Sequence, residues 1–189
     1  MNGLGKVGGL VGEQSNGCDG CNGWTIGSYS TGTVLGGDGV IVGGLVGQND
    51  GGYIVESYAT GAVGGGNNAF VGGLTGLNDI NEVAAHSVPV IYTSYSTGSV
   101  TGGASALLGG LIGNDLAQTG ITDSYWDMDT SGISDPSKGA GNIASDPGIT
   151  GLTTAQFKSG LPQGFDKKIW KEKTPINNGY PYLIDLPPG

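Results

Sequence analysis

The stretch "VGGLVG", Val7 to Gly12, decides the fold. It returns as "VGGLVG" at Val42 to Gly47, "VGGLTG" at Val71 to Gly76 and "LGGLIG" at Leu108 to Gly113. Glycine inside a strand weakens it and marks a bulge or a close backbone approach. Four copies therefore mark a repeated structural position. The first residue of the motif is Val, Val, Val, Leu and the fourth is always Leu. Residues three apart on a regular strand face opposite sides. A one-residue bulge at each Gly-Gly pair would return both to the core. The expected core rows are Val7, Val42, Val71, Leu108 and Leu10, Leu45, Leu74, Leu111.

A second motif alternates with the first. It reads "IGSYSTGTV" (Ile26 to Val34), "VESYATGAV" (Val55 to Val63), "YTSYSTGSV" (Tyr92 to Val100) and, degenerate, "ITDSYWDMDTSG" (Ile121 to Gly132). From Ser28, Ser57 and Ser94 to the next glycine motif the spacing is always 14 residues. From each glycine motif to the next Ser-Tyr it is 21, 15, 23 and 16. Fixed strands that stack in register, with length variation gathered in loops, are the pattern of a solenoid. The expected fold is all-β: a right-handed parallel β-helix of about four coils over residues 1–137. Tyr29, Tyr58, Tyr95 and Tyr125 should form a further row. The variable loops are expected at residues 13–25, 48–53, 77–90 and 114–120. Residues 138–189 break the repeat and read as a small C-terminal cap. It includes a short helix in "GLTTAQFKSGL" (Gly151 to Leu161) started by Thr153 or Thr154, with Trp170, Tyr180, Tyr182 and Leu183 as anchors. Such a cap would cover the last coil and block edge-to-edge stacking.

Composition fits many short strands and tight turns. Gly makes up 41 of 189 residues, without a G-X-Y period, and only 12% of residues are charged. The net charge is −9, yet six of the seven lysines fall after residue 137 and there is no arginine. An acidic, arginine-free surface is a poor nucleic-acid binder and a poor match for anionic lipid. No apolar run is long enough to span a membrane. Residues 1–25 carry no basic start followed by an apolar core. The start inside a repeat and the "LPPG" end read as a segment of a longer polypeptide.

"VGGLVGQN" followed by "SYATGAV" resembles the GLUG repeat, named for its Gly-Leu-hydrophobic-Gly core. "SYWDMDTSG", "GLTTAQFKSG" and "GYPYL" resemble the segment that often follows the last such repeat in large bacterial exoproteins. The resemblance spans most of the chain. It implies a secreted or cell-surface bacterial protein of the adhesin or filamentous-haemagglutinin-like kind, with the repeats as a β-helical stalk. Similar repeats occur in immunoglobulin-A-cleaving metallopeptidases. Those need a His-Glu-x-x-His zinc site, and this chain has a single histidine.

Candidate chemistry is sparse. Cys18 and Cys21, in "NGCDGCNG", fit a local disulfide pinning an exposed loop; free thiols or a zinc half-site are the alternatives. "DMDTSGISD" places Asp127, Asp129, Ser131 and Asp135 at positions 1, 3, 5 and 9 of a calcium-loop template, but Lys138 stands where a bidentate carboxylate belongs. A structural Asx-type turn is the competing reading. His86 lies in the longest loop without a placed partner. Binding, where it occurs, is expected through loop residues Asn22, Trp24, Asn49, Asp50, Tyr53, Asn78, Asp79, His86, Asn114 and Asp115, toward a host-surface or matrix protein or a glycan. No column of the repeat is consistently acidic, as a stacked glycosidase site would require. The expected function is therefore a non-catalytic structural or adhesive module without cofactor. A self-assembling fibre subunit and a carbohydrate-active β-helix enzyme are the alternatives.

Overall fold

A computed structural model describes residues 5–15, 23–81 and 87–188. The protein is mostly β, with parallel sheets and few helices. Each repeat sends one strand to each of several sheets. Lys6–Gly8, Ile41–Gly43, Phe70–Gly72 and Leu107–Gly109 form a valine sheet. Val11–Ser15, Val46–Asp50, Thr75–Asp79 and Ile112–Asp115 form an amide sheet. Trp24–Ile26, Tyr53–Val55, Val90–Tyr92 and Ile121–Thr122 form an isoleucine sheet. Tyr29–Ser30, Tyr58–Ala59, Tyr95–Ser96, Ser124–Asp127 and Ile149–Leu152 form a tyrosine sheet. A three-stranded sheet of Val34–Leu35, Val63–Gly64 and Val100–Thr101 leads back to the next copy.

The glycine motif is a corner, not a bulge. The strand Ile41–Gly43 ends at the first glycine of the pair, and Val46–Asp50 begins in a different sheet. Steric demand explains the glycines. A Cβ on Gly43 would sit 1.9 Å from the Val46 carbonyl oxygen, and one on Gly44 would sit 2.2 Å from that of Gly73. Gly47, the third glycine, passes within 2.4–3.0 Å of the Gly12 and Val7 backbones by the same measure. The corner also separates the two apolar rows. Val42 and Val71 pack with Val34, Val63 and Val100. Leu45, Leu74 and Leu111 pack with Ile54, Ile91 and Ile121. Full burial of each such side chain contributes about 1.5–3 kcal/mol.

Val7, Val42, Val71 and Leu108 are register partners. The leucine row runs through the hydrogen bonds Leu10 N to Leu45 O, Leu45 N to Leu74 O and Leu74 N to Leu111 O. The expectation that Leu10 lies in the core needs correction. Leu10 is 53% exposed whereas its three mates are fully buried. It belongs to the first repeat, and among the described residues no strand covers that side. Val7 and Leu108 are half-buried.

The Ser-Tyr motif marks a second corner. The residue before each serine has a positive φ: Gly27 at 55°, Glu56 at 50°, Thr93 at 43° and Asp123 at 45°. This turn leaves an amide that the serine of the next repeat captures. Ser57 Oγ accepts from Ser28 N at 3.1 Å, and Ser94 Oγ accepts from Ser57 N at 3.1 Å. Each hydroxyl is donated back to a carbonyl two residues earlier, Val55 and Tyr92 respectively.

Residues 138–152, the first part of the expected cap, stack on the fourth repeat. Leu111 N and Ile112 N both donate to Gly139 O, and Ile149–Leu152 pairs in parallel with Ser124–Asp127. The remainder packs along the tyrosine row rather than across an end. Tyr58, Tyr95 and Tyr125 share one buried cluster with Phe157, Phe165, Trp170 and Tyr180. Large rings on the outside of a sheet need such a cover to leave water. The helix Thr154–Phe157 starts at Thr153, with a capping box to Gln156. A further helix, Met128–Ser131, was not anticipated; Asp127 caps its start and Gly132, left-handed at φ 78°, ends it.

Candidate functional site

Most polar residues expected in binding loops are in strands. The segments beginning at residues 13, 48, 77 and 114 start inside the amide sheet. Asn49 and Asn78 are fully buried and register partners, and Asn78 pairs with Asp115, also fully buried. They form a directional row. Gln14 Nε2 donates to Asn49 Oδ1 at 2.7 Å, Asn49 Nδ2 to Asn78 Oδ1 at 3.0 Å, and Asn78 Nδ2 to Asp115 Oδ1 at 2.9 Å. Thr25 Oγ1 donates to Gln14 Oε1 at 2.5 Å, completing its amide. Buried amides persist because each satisfies its neighbour. Asn49, Asn78 and Asp115 are thus corrected from loop ligands to structural residues. Asn114 is buried as well, one register position earlier, beside Leu77.

Asp50 and Asp79 are register neighbours on the amide sheet and both are half-buried. Burial pushes the Asp50 carboxyl up, and the charges of Asp79 and Glu13 add to it. Asn81 Nδ2, donating to Asp50 Oδ2 at 2.7 Å, opposes that shift. Lys6, ion-paired with Glu13, also lowers it. Cys18, Cys21, Asn22 and His86 lie outside the described residues.

The calcium-loop spacing resolves into turns and a junction. Asp127 is fully buried and accepts from Asp129 N, Thr130 N, Thr154 Oγ1 and Tyr180 OH at 2.6–3.3 Å. Asp129 Oδ2 accepts from Thr154 N, Ser131 Oγ from Ile133 N, and Asp135 Oδ1 from Ser137. Four side chains turned to separate protein donors do not form a cation cage. Among the described residues no group of three His, Cys, Asp or Glu side chains converges.

Trp24 and Tyr53 are brought together. They pair in register on the isoleucine sheet and stack with ring centroids 4.3 Å apart and planes 8° apart. Trp24 is 57% exposed. On the same side of the sheet, two residues along, Ile26, Val55 and Tyr92 form a second row, with Ile26 and Tyr92 exposed. The alternating partners Thr25, Ile54 and Ile91 are buried. This aromatic and aliphatic face suits a flat, partly apolar ligand surface, such as a sugar ring or an apolar side chain. It carries no paired nucleophile and base. Ile26 and Tyr92 escaped the sequence reading; the period-2 alternation around the buried column Thr25, Ile54, Ile91 would have found them.

Comparison with family models, curated proteins and solved structures returned no match.

Proposed function

We propose that the protein is a non-catalytic structural and adhesive module, a stalk or display scaffold of a secreted or cell-surface bacterial protein. On this reading the five parallel sheets are the faces of a right-handed parallel β-helix of about four coils, and residues 153–188 are its lateral cap. The observation that carries it is the stack of exposed Trp24 on half-buried Tyr53, on strands that recur in register. The frame consumes its own polar groups in amide and serine rows, which leaves the outer aromatic face for recognition. A host glycan or matrix protein is the partner class.

Binding of the full chain to glycan and matrix-protein arrays tests this. The wild type should bind, and the pair Trp24→Ala with Tyr53→Ala should weaken binding at least about tenfold with unchanged melting. Equal binding by the double variant overturns the placement. Release of glycan fragments on prolonged incubation overturns the non-catalytic reading.

A fibre subunit is the second reading. Leu10, Trp24, Ile26 and Leu35, all of the first repeat, are among the exposed large apolar residues. Trp24, Ile26 and Leu35 lie on edge strands of their sheets, and Leu10 lies between two further edge strands; such edges favour association. A monomer by light scattering at every concentration rejects this reading.

A further inference from the structure

We propose that the amide row ends in a buried proton site, in which a proton held on Asp146 beside Asp115 keeps residues 138–152 against the fourth repeat. The amide row has a direction. Each amide of the row accepts through its oxygen and donates through its nitrogen, so Gln14, Asn49 and Asn78 pass hydrogen bonds in one sense along the stack. Asp115 receives the last of them and, as a carboxylate, has nothing to donate. Its second oxygen already accepts from Gln118 N at 3.1 Å.

The group that follows is another acid. Asp146 belongs to the segment stacked on the fourth repeat, is 4% exposed, and its carboxyl lies close enough to that of Asp115 for the Asp115 charge to act on it. Asp146 Oδ2 is buried and no donor among the described residues faces it. The same segment grips Asp115 through its backbone: Asp115 N donates to Asn142 Oδ1 and Asn142 Nδ2 to Asp115 O, both at 2.8 Å. Two carboxyls in contact away from water cannot both be ionised without a large penalty, so one of them keeps a proton.

Burial, the hydrogen bond to Asp115 and the charge of Asp115, in that order, push Asp146 up to about 7. Among the described residues, Asp115 on the amide sheet is the one charged group acting on it; Lys138, at the start of the same segment, acts on Asp135. The folded chain therefore binds this proton more tightly than the unfolded chain, whose carboxyl titrates near 3.8. Stability from this site is complete at the acid end and is lost as pH rises from about 4 through about 7. The site is independent of any adhesive role.

The test is carboxyl-carbon NMR titration and thermal melting of the full chain between about pH 4 and pH 9, where the linkage acts. One Asp carboxyl should titrate near neutrality. In Asp146→Asn that titration should vanish. The new amide donates to Asp115, so melting should become flatter with pH and higher than wild type at the alkaline end. Leu111 and Ile112 amides should keep their exchange protection there. Asp115→Asn, which removes the charge acting on Asp146 while leaving its burial, should flatten the profile in part and serves where the first variant does not fold. The proposal is overturned when no Asp titrates above the ordinary carboxylate range, or when both variants keep the wild-type slope. It is also overturned when millimolar calcium raises the melting temperature of the wild type but not of Asp146→Asn, since the occupant is then a metal cation.

Discussion

Tyr58 and Tyr95 stack almost parallel, ring centroids 5.0 Å apart and planes 3° apart, yet their hydroxyls are treated oppositely. Tyr95 OH donates to Pro181 O and accepts from Asn177 Nδ2 at 2.8 Å. Tyr58 OH is buried with no hydrogen-bond partner among the described residues. The rings sit in equivalent register positions of adjacent repeats and both pack against Trp170; Tyr58 also stacks on Tyr29, and Tyr95 also meets Phe157 and Phe165. Tyr58→Phe should stabilise the protein by about 1 kcal/mol, because it removes an unsatisfied buried group, while Tyr95→Phe should cost about 1–2 kcal/mol. Urea unfolding midpoints of the two variants, moving in opposite directions, check this. A shift of the same sign in both would show that ring packing, not hydroxyl pairing, sets the balance.

The corner glycines differ sharply from glycines elsewhere. At Gly43 the three nearest atoms to an added Cβ are all backbone, at 1.9–2.8 Å, so nothing flexible can give way. At Gly37 an added Cβ meets nothing within 4 Å. Gly43→Ala should cost at least about 3 kcal/mol through overpacking. Gly37→Ala should gain about 0.4–1 kcal/mol by restricting the unfolded chain. Thermal melting of both variants measures the contrast.

Thr93 holds a β-branched side chain at φ 43°, 2% exposed, and its buried hydroxyl has no partner among the described residues. The equivalent position of the first repeat is Gly27, at φ 55°. Its backbone amide donates to Thr122 O at 3.2 Å, a bond that any residue keeps. Thr93→Gly should therefore stabilise by about 1 kcal/mol, the scale of strain for a non-glycine residue in this region. A lowered melting temperature would mean that the buried methyl contributes more than the strain costs.

The register was open to reading from the sequence because side chains recur at a fixed offset. Val7, Val42, Val71 and Leu108 align by motif, and these residues pair in that register. The same offset held the amide row. Gln14, Asn49, Asn78 and Asp115 each follow the first residue of their glycine motif by seven positions. That signal was hidden by the shared "ND" dipeptide, which aligns Asn114 rather than Asp115 with Asn49 and reads as a turn. A polar column is buried when its members satisfy one another along the stack, and local propensity carries no trace of that. Periodicity was equally silent on the tyrosines: it makes them a row without saying that Phe157, Phe165 and Trp170 cover it. The spacing Asp127, Asp129, Ser131 served helix capping as well as it would have served a cation. Only the donors Thr154 and Tyr180, 27 and 53 residues away, distinguish the two.

Those donors make an alkaline prediction. Tyr180 OH donates to Asp127 Oδ2 at 2.6 Å, and burial first, then that hydrogen bond, push the phenol up to about 12. Tyr125 is pushed up to about 12 by burial, with the charge of Asp123 adding to it. An unfolded tyrosine titrates near 10. The folded chain therefore holds these phenolic protons more tightly. Their contribution is whole below about pH 10 and drains away as pH rises through about 12. Unfolding followed by phenolate absorbance and circular dichroism should show cooperative loss of structure in that window. In Tyr180→Phe the loss should be shallower. The same variant should be less stable at neutral pH by about 1–2 kcal/mol, because Asp127 keeps its burial but loses one of its four donors. An unchanged alkaline profile in Tyr180→Phe would place the sensitivity at Tyr125 and its neighbours instead.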